Sequence, residues 1–336
     1  MLNGHGDDMY RYDRKIVSNF SSNVYNQGDL SGLKSFLKEQ LDSISSYPHP
    51  EAGSLQHKIA SKNAISPANV CVTNGSTESV YLIAQTFRHK RSGILMPAFS
   101  EYADACRIHN HQTAYIRRLE KLQPFDIIWL CNPNNPTGEV YDKAHLTAQV
   151  NRSPKVLFVI DQAYGSFTEK PLFSPDESAA MPNMIILHSL TKQYAIPGLR
   201  LGYMTAHKNW ISRLRMQRMP WSVNSLAIAA GHYLLDNREN APDLTAYLTE
   251  KDRLCKALQT NRELEVFPSD THFMLIRLCR GKAADLKAFL VNEYGILIRD
   301  ASNFYGLNDS FIRIAAQTFA ENQVLIHAVK TWFTTF

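Results

Sequence analysis

The stretch HSLTKQYAIPGLRLGY, residues 188–203, places a lysine close to a hydroxyl group and a fixed cation. Lys192 follows the apolar run MIILHS, with Ser189 three residues before it and Arg200 eight residues after it. Partial burial at the end of a strand lowers the pKa of a lysine and frees its amine to condense with an aldehyde. The serine hydroxyl and the guanidinium can hold a dianion near that aldehyde. An aldehyde and a phosphate on one small molecule describe pyridoxal phosphate.

Three more side chains fit the ring of this cofactor. Its ring nitrogen must stay protonated if the ring is to accept electrons, which requires a buried carboxylate opposite that nitrogen. Asp161 closes the apolar run KVLFVID and is placed for this role, although an aspartate there also suits a helix cap. Tyr164 and Asn135, the latter in CNPNNPTG, can donate hydrogen bonds to the ring hydroxyl oxygen. Taken alone, Tyr164 is equally expected in the core.

The phosphate also needs backbone N–H groups, and NGSTES supplies a candidate turn. Gly75, Ser76 and Thr77 lie where a predicted strand passes into a predicted helix. The free N–H groups at the first turn of a helix favour an anion. A Gly-Ser-Thr turn is common, so its coincidence with Lys192 and Asp161 is what indicates a cofactor site.

Seven short apolar runs between about residues 70 and 206 predict the sheet that positions these groups. They are VCVTNG, GILMPAF, QTAYIRR, DIIWLCNP, KVLFVIDQAY, MIILHSL and LRLGYMTA, and helix-like segments such as 77–89 and 100–110 separate them. This alternation is typical of an α/β fold with a largely parallel sheet between two helical layers. The carboxyl ends of such strands converge on one crevice. We predict an N-terminal arm at 1–30, a large cofactor-binding domain at 31–222 and a smaller α+β domain at 223–336.

Composition indicates a folded, intracellular protein. The 336 residues are 44% hydrophobic and 20% charged, and the five cysteines form no CxxC pair, so neither a disulfide framework nor a metal site is predicted. The longest apolar runs, such as VLFVI, are too short to cross a membrane. The net charge of +5 is modest, and the basic cluster RLRMQRMPWS reads as a solvated helix face. We therefore expect a cytoplasmic location and neither a membrane nor a nucleic acid as partner.

Four segments resemble the fold type I pyridoxal-phosphate enzymes of the class I and II aminotransferase superfamily: NPNNPTG, DQAY, SLTKQYAIPGLRLGY and FIRIAA. The resemblance covers nearly the whole chain and implies a mostly parallel seven-stranded sheet. It also implies a homodimer, because Tyr47 in SYPHPE resembles a tyrosine that reaches the phosphate in the neighbouring subunit. The implied cofactor contacts are Lys192 at the aldehyde, Asp161 at the ring nitrogen, Tyr164 and Asn135 at the ring hydroxyl, Phe99 or less favourably Tyr102 at the ring face, and Gly75, Ser76, Thr77, Ser189 and Arg200 around the phosphate.

Within that superfamily, four segments resemble the threonine-phosphate decarboxylases of cobalamin biosynthesis more than the histidinol-phosphate aminotransferases. They are AIPGLRLGY, MPWSVN, the HG at 5–6 and NFSSN. The implied reaction is decarboxylation of O-phospho-L-threonine to (R)-1-amino-2-propanol phosphate. Transamination of histidinol phosphate or another amino acid stays open, because the same cofactor residues serve both reactions. A non-catalytic cofactor-binding regulator is the alternative from another class. It is disfavoured because residues 1–30 are short for a DNA-binding module and show no helix-turn-helix pattern.

The resemblance also implies a substrate site for a small anionic amino acid phosphate. Two arginines suit a substrate with two anionic groups, since each guanidinium binds a carboxylate or a phosphate through a planar fork of donors. One position departs from the family pattern: Gln317 stands where a second arginine is expected shortly after FIRIAA begins. The implied substrate residues are His5, Gly6, Asn23, Asn135, Arg299 and Arg313.

Overall fold

The computed structural model of the protein describes residues 6–25, 28–120, 122, 124–237 and 243–335. The strands are β1 (Ser18–Asn19), β2 (Val70–Thr73), β3 (Arg91–Leu95), β4 (Gln112–Ile116), β5 (Ile127–Cys131), β6 (Leu157–Asp161), β7 (Met184–Ser189), β8 (Gly202–Ala206), β9 (Leu264–Val266), β10 (Phe273–Leu278), β11 (Ile296–Leu297), β12 (Arg299–Asp300) and β13 (Phe311–Ala315). The α-helices are α1 (Ser31–Glu39), α2 (Gly53–Lys62), α3 (Gly75–Thr86), α4 (Glu101–Ile108), α5 (Lys143–Arg152), α6 (Pro175–Ala180), α7 (Leu190–Gln193), α8 (Lys208–Arg215), α9 (Ser225–Asp236), α10 (Leu244–Gln259), α11 (Ala283–Phe289) and α12 (Phe319–Thr335).

The main sheet has seven strands among the described residues, in the order β2-β8-β7-β6-β5-β3-β4. Neighbouring strands are parallel except β8, which runs antiparallel to both β2 and β7. Every residue of β5 and β6 is buried, as expected for central strands covered on both faces. Each predicted apolar run overlaps one strand, so the predicted α/β fold with a largely parallel sheet is confirmed.

A second, antiparallel sheet of order β12-β13-β10-β9 forms the smaller lobe. The chain from Gly6 to Tyr25 lies against this lobe. There β1 pairs in parallel with β11, and the fully buried Phe20 is bonded through its backbone to Leu297 and Ala315 at 2.8 and 2.9 Å.

The three predicted domain ranges stay predictions. Helix α9, inside the predicted C-terminal range, packs against α1 and α2. Within the described ranges, no helix has both the length and the apolar character needed to span a bilayer.

Candidate active site

The carboxyl ends of β6 and β7 meet the amino end of α3 around a cavity, which we call the inner cavity. Its lining includes nine of the residues predicted to hold the cofactor: Ser76, Thr77, Phe99, Asn135, Asp161, Tyr164, Ser189, Lys192 and Arg200. Tyr102 lines it as well. An adjoining outer cavity is lined by Gly6, Asn23 and Arg313, and it shares Thr77, Phe99, Asn135, Tyr164 and Lys192 with the inner one. Residues far apart in the sequence therefore face one continuous space.

Lys192 lies one turn beyond the buried strand β7, in the short helix α7. Burial lowers the pKa of its amine to about 8, and the positive charges of Arg313 and Arg200 act in the same direction. The carboxylates of Asp7 and Asp161 oppose this shift. An ordinary lysine has a pKa of about 10.4 and is almost wholly protonated at neutral pH. A much larger share of Lys192 is in the neutral, nucleophilic form.

The reactivity of Lys192 with aldehydes is expected to rise with pH and to be half-maximal near pH 8, because only the neutral amine attacks and its pKa is about 8. The measurement is the rate of reductive trapping of a small aldehyde on cofactor-free protein between pH 6 and 10. Peptide mapping would separate Lys192 from the surface lysines. A half-maximal rate near pH 10 at Lys192 would contradict the lowered pKa.

The far end of the inner cavity is built for an anion. Arg200 has a left-handed backbone with φ of 57°, following the 3₁₀ turn Pro197–Leu199, and its Nη1 donates to the Pro197 carbonyl at 3.0 Å. Gly75 opens α3 with φ of 77°, and a Cβ there would lie 2.6 Å from the Arg200 guanidinium. The positive φ favours glycine at this position, and a Cβ would displace the Arg200 guanidinium. The guanidinium therefore packs directly on the amino end of α3, beside Ser189.

Asp161 is a buried carboxylate on the floor of the inner cavity. It accepts a hydrogen bond from the Tyr102 hydroxyl at 2.8 Å and one from the backbone N–H of Ala163 at 2.9 Å. Burial raises the pKa of Asp161, while these two hydrogen bonds and the charge of Lys192 hold that pKa down. Among the described residues, no lysine or arginine forms an ion pair with it. The carboxylate is thus desolvated, oriented and available to a cation inside the cavity.

Arg299 and Arg313 face each other on neighbouring strands. They are register partners on β12 and β13, and they are only 6% and 5% exposed. Arg313 donates to Asn135 Oδ1 at 2.5 Å and to the Ser21 carbonyl at 2.6 Å, and Arg299 donates to Asn303 Oδ1 at 2.6 Å.

Neither guanidinium is paired with a carboxylate in the part of the chain that the structure describes. Burial, and secondly the charge of Arg313, lower the pKa of Arg299 to about 10. The charges of Asp300 and Asp8 oppose this shift without forming an ion pair with Arg299. Two buried like charges without an ion-paired carboxylate are unfavourable unless an anion binds beside them. The pair therefore marks an anion site.

Asn23 and Gly6 line the outer cavity together with Arg313, whereas Arg299 lines a smaller pocket that shares Gly6 and Arg313 with it. Asn23 is 3% exposed and lies next to the Tyr164 hydroxyl, with its amide at the wall of the outer cavity, where a ligand can reach it. Gly6 packs so tightly that a Cβ would lie 2.8 Å from the Ser21 carbonyl and 3.3 Å from the Arg313 guanidinium. His5 lies outside the described residues.

Two predicted positions lie away from the cavities. Tyr47 lines neither one. It is 85% exposed, with its ring 5.3 Å from the half-exposed ring of Trp221. Gln317 is buried, and its side-chain nitrogen donates to the Ala315 carbonyl at 3.1 Å instead of lining a cavity. Gln317 therefore contributes no contact to either cavity.

Sequence reasoning missed several groups at the site. Glu101, 2% exposed, lines the outer cavity and accepts a hydrogen bond from Tyr81 at 2.6 Å. Asp7 also lines that cavity, with φ of 63°. Tyr102, considered as a stacking residue, directs its hydroxyl to Asp161, whereas Phe99 lines both cavities. No motif marks Glu101 or Asp7, and a left-handed aspartate cannot be identified from its sequence neighbours.

Comparison with known proteins agrees with this geometry. The family model "aminotransferase class I and II" matches residues 15–329. The threonine-phosphate decarboxylase of Salmonella typhimurium is 32% identical over 332 residues, 94% of this chain and 91% of that protein. The histidinol-phosphate aminotransferase of Thermoanaerobacter pseudethanolicus is 31% identical over 303 residues, 85% of this chain and 84% of that protein. The crystal structure of L-threonine-O-3-phosphate decarboxylase from Porphyromonas gingivalis superposes with a TM-score of 0.92 at 38% identity, covering 95% of this chain and 100% of that chain.

Proposed function

The chain belongs to the class I and II aminotransferase family, and we propose that it is a pyridoxal-phosphate-dependent decarboxylase of O-phospho-L-threonine. The product is (R)-1-amino-2-propanol phosphate, a component of cobalamin biosynthesis. The observation that carries the proposal is the buried pair Arg299 and Arg313, which has no carboxylate partner among the described residues. O-phospho-L-threonine carries two anionic groups, and histidinol phosphate carries one. The relatives from Salmonella typhimurium and Porphyromonas gingivalis support the same substrate.

The residues of the inner cavity fit pyridoxal phosphate. At one end, the α3 amino terminus, Ser189 and Arg200 suit its phosphate, and at the floor Asp161 suits its ring nitrogen. Phe99 suits a ring face, and Tyr164 and Asn135 suit the ring hydroxyl oxygen. Lys192, with its lowered pKa, suits the aldehyde. Asp161 in particular is a buried carboxylate that still lacks a cation in the described structure.

In this proposal some side chains hold the cofactor and the substrate, and others hold or transfer a proton. When bound, pyridoxal phosphate supplies the electron sink that makes cleavage of a bond to the substrate Cα possible. Asp161 holds a proton on the ring nitrogen through its desolvated charge. Arg299 and Arg313 fix the substrate carboxylate and phosphate and so select which Cα bond is aligned for cleavage. Lys192, whose amine titrates near pH 8, returns a proton to Cα after carbon dioxide leaves.

Substrate comparison tests the reaction class. Purified protein loaded with cofactor is expected to release carbon dioxide from O-phospho-L-threonine. It should use L-threonine at least about 100-fold less efficiently, because the unphosphorylated substrate leaves a buried cation unpaired. The second candidate is transamination, which the relative from Thermoanaerobacter pseudethanolicus favours and which the arginine pair also permits, since glutamate carries two carboxylates. Turnover of histidinol phosphate with 2-oxoglutarate, without release of carbon dioxide from O-phospho-L-threonine, would establish that candidate instead.

A homodimer that shares its active sites is also part of the proposal. Tyr47 is 85% exposed beside Trp221, and four apolar side chains close to these two in the sequence are exposed as well: Leu41, Ile44, Met216 and Met219. Exposed large apolar side chains are typical of a surface covered by a partner. A second copy would cover it and bring Tyr47 to the neighbouring phosphate.

Mixing two weakened variants is expected to restore activity if Tyr47 serves the neighbouring subunit. Lys192→Ala removes the amine from its own site, and Tyr47→Ala removes the hydroxyl from the partner's site, so a mixed dimer holds one site with both groups intact. The measurement is decarboxylation after mixing and subunit exchange, with each variant alone as the control. Activity that only equals the average of the two separate variants would contradict sharing.

A further inference from the structure

A buried ion pair joins the N-terminal segment to the small lobe at a point outside both cavities. Lys287 Nζ, on α11, donates to the two carboxylate oxygens of Asp8 at 2.9 and 2.8 Å. Asp8 is 5% exposed and Lys287 is 9% exposed. The ring of Tyr12 also lies near the ammonium group, at 5.6 Å. Neither member of the pair lines the inner or the outer cavity, and none of the roles given above uses it.

Asp8 directly follows residues that form the wall of the outer cavity. Gly6 packs on the Arg313 guanidinium and the Ser21 carbonyl, and Asp7 has its backbone N–H bonded to Ser21 Oγ at 3.1 Å. The Asp7 carboxylate accepts from Asn19 Nδ2 at 2.5 Å. On its other side, within the described residues, Lys287 holds the segment at Asp8, and farther along the chain Arg14 Nη2 donates to the Glu293 carbonyl at 3.2 Å. This short stretch is therefore fixed between β1 and α11.

The rest of the arm is held independently of Lys287. The chain at 18–20 is bonded to β11 and to Ala315, and the backbone N–H of Tyr25 donates to the Lys192 carbonyl at 2.9 Å. Losing the ion pair would therefore loosen residues 6–12, which keep the Asp7 hydrogen bonds to Ser21 and Asn19, and would leave 18–25 in place. Removing one member of a buried pair leaves the other charge desolvated, so Asp8 would move toward water.

We propose that Lys287 is a positioning residue for the substrate: its ion pair with Asp8 holds residues 6–8 over Arg313 and so strengthens anion binding in the outer cavity. This inference rests on the proposed function for the identity of the substrate. If the segment lifts, water reaches Arg313, and the attraction between its guanidinium and the substrate anion weakens as the local dielectric constant rises. Lys192, Asp161 and the phosphate end of the inner cavity keep their contacts. The effect therefore falls on substrate affinity.

The test compares Lys287→Met with Lys282→Met in the full chain loaded with cofactor. Lys282 is a matched control because it precedes the same helix and forms an exposed ion pair with Asp309. Lys287→Met is expected to raise KM for O-phospho-L-threonine by about tenfold or more, with kcat and the cofactor absorbance unchanged. Lys282→Met should leave all three unchanged. A normal KM in Lys287→Met, or a fall in kcat and cofactor absorbance together with the rise in KM, would overturn the proposal.

Hydrogen exchange separates this inference from the proposed function, because it needs no turnover. In Lys287→Met, amides of residues 6–12 are expected to exchange faster, while those of 18–25 and 190–200 keep wild-type protection. Unchanged exchange at 6–12, or faster exchange throughout the small lobe, would refute the anchoring role. If wild-type protein releases no carbon dioxide from O-phospho-L-threonine, the function fails, and the exchange result still decides the role of Lys287.

Discussion

Lys192→Ala is expected to abolish decarboxylation and to remove the covalent, borohydride-reducible attachment of pyridoxal phosphate. The substitution removes both the nucleophilic amine, whose pKa burial lowers to about 8, and the group that returns a proton to Cα. The expected fall in kcat is about 10³-fold or more, in the range of a lost proton-transfer group. The measurement pairs a single-turnover assay with mass spectrometry of the reduced protein.

Lys155→Ala is the control for this prediction, because Lys155 is an exposed lysine that lines neither the inner nor the outer cavity. It should keep full activity and the reducible link at Lys192. A Lys192→Ala protein that still yields a reduced adduct at another lysine, with wild-type turnover, would show that the chemistry is elsewhere.

The second large effect is expected from Arg313→Met. Arg313 is 5% exposed and is bonded to Asn135 Oδ1 and to the Ser21 carbonyl, so its loss removes a substrate cation and leaves two buried acceptors unpaired. Truncating one partner of a buried charged contact costs about 2–5 kcal/mol. We therefore expect kcat/KM for O-phospho-L-threonine to fall about 30-fold to several thousand-fold. Absorbance of the bound cofactor should persist, because Lys192, Asp161 and Arg200 stay in place.

Arg277→Met serves as the matched control, since Arg277 lies on the adjacent strand β10 and forms an exposed ion pair with Glu265. Its kcat/KM should match that of wild-type protein. Equal kinetic losses in the two variants would indicate a general disturbance of the small sheet and would remove the support that Arg313 gives to the proposed substrate.

The cofactor end of the site could be predicted because its residues belong to short patterns that are recognisable in the local sequence. The apolar runs that become β6 and β7 end in Asp161 and Ser189, and parallel strands bring their carboxyl ends together whatever the remainder of the chain does. The Pro-Gly turn before Arg200 is likewise local, and Arg200 Nη1 donates back to the Pro197 carbonyl.

The substrate end depends on long-range contacts that no local pattern encodes. Arg313 meets the Ser21 carbonyl across 292 positions of the chain, and its pairing with Arg299 depends on the register of β12 and β13. The family resemblance implied that the two arginines bind the substrate, but it did not imply that they are buried side by side. Neither the local patterns nor the family resemblance predicted that Lys287 binds Asp8, which lies 279 positions away in the chain.

The fate of the substrate carboxyl carbon shows directly whether the protein decarboxylates O-phospho-L-threonine or transaminates it. O-phospho-L-threonine labelled with ¹³C in its carboxyl group is incubated with the cofactor-loaded protein, without any 2-oxo acid, and the fate of the label is followed by NMR and gas analysis. One labelled carbon dioxide is expected for each aminopropanol phosphate formed. Label retained in a 2-oxo acid product, formed only when an amino acceptor such as 2-oxoglutarate is added, would contradict it.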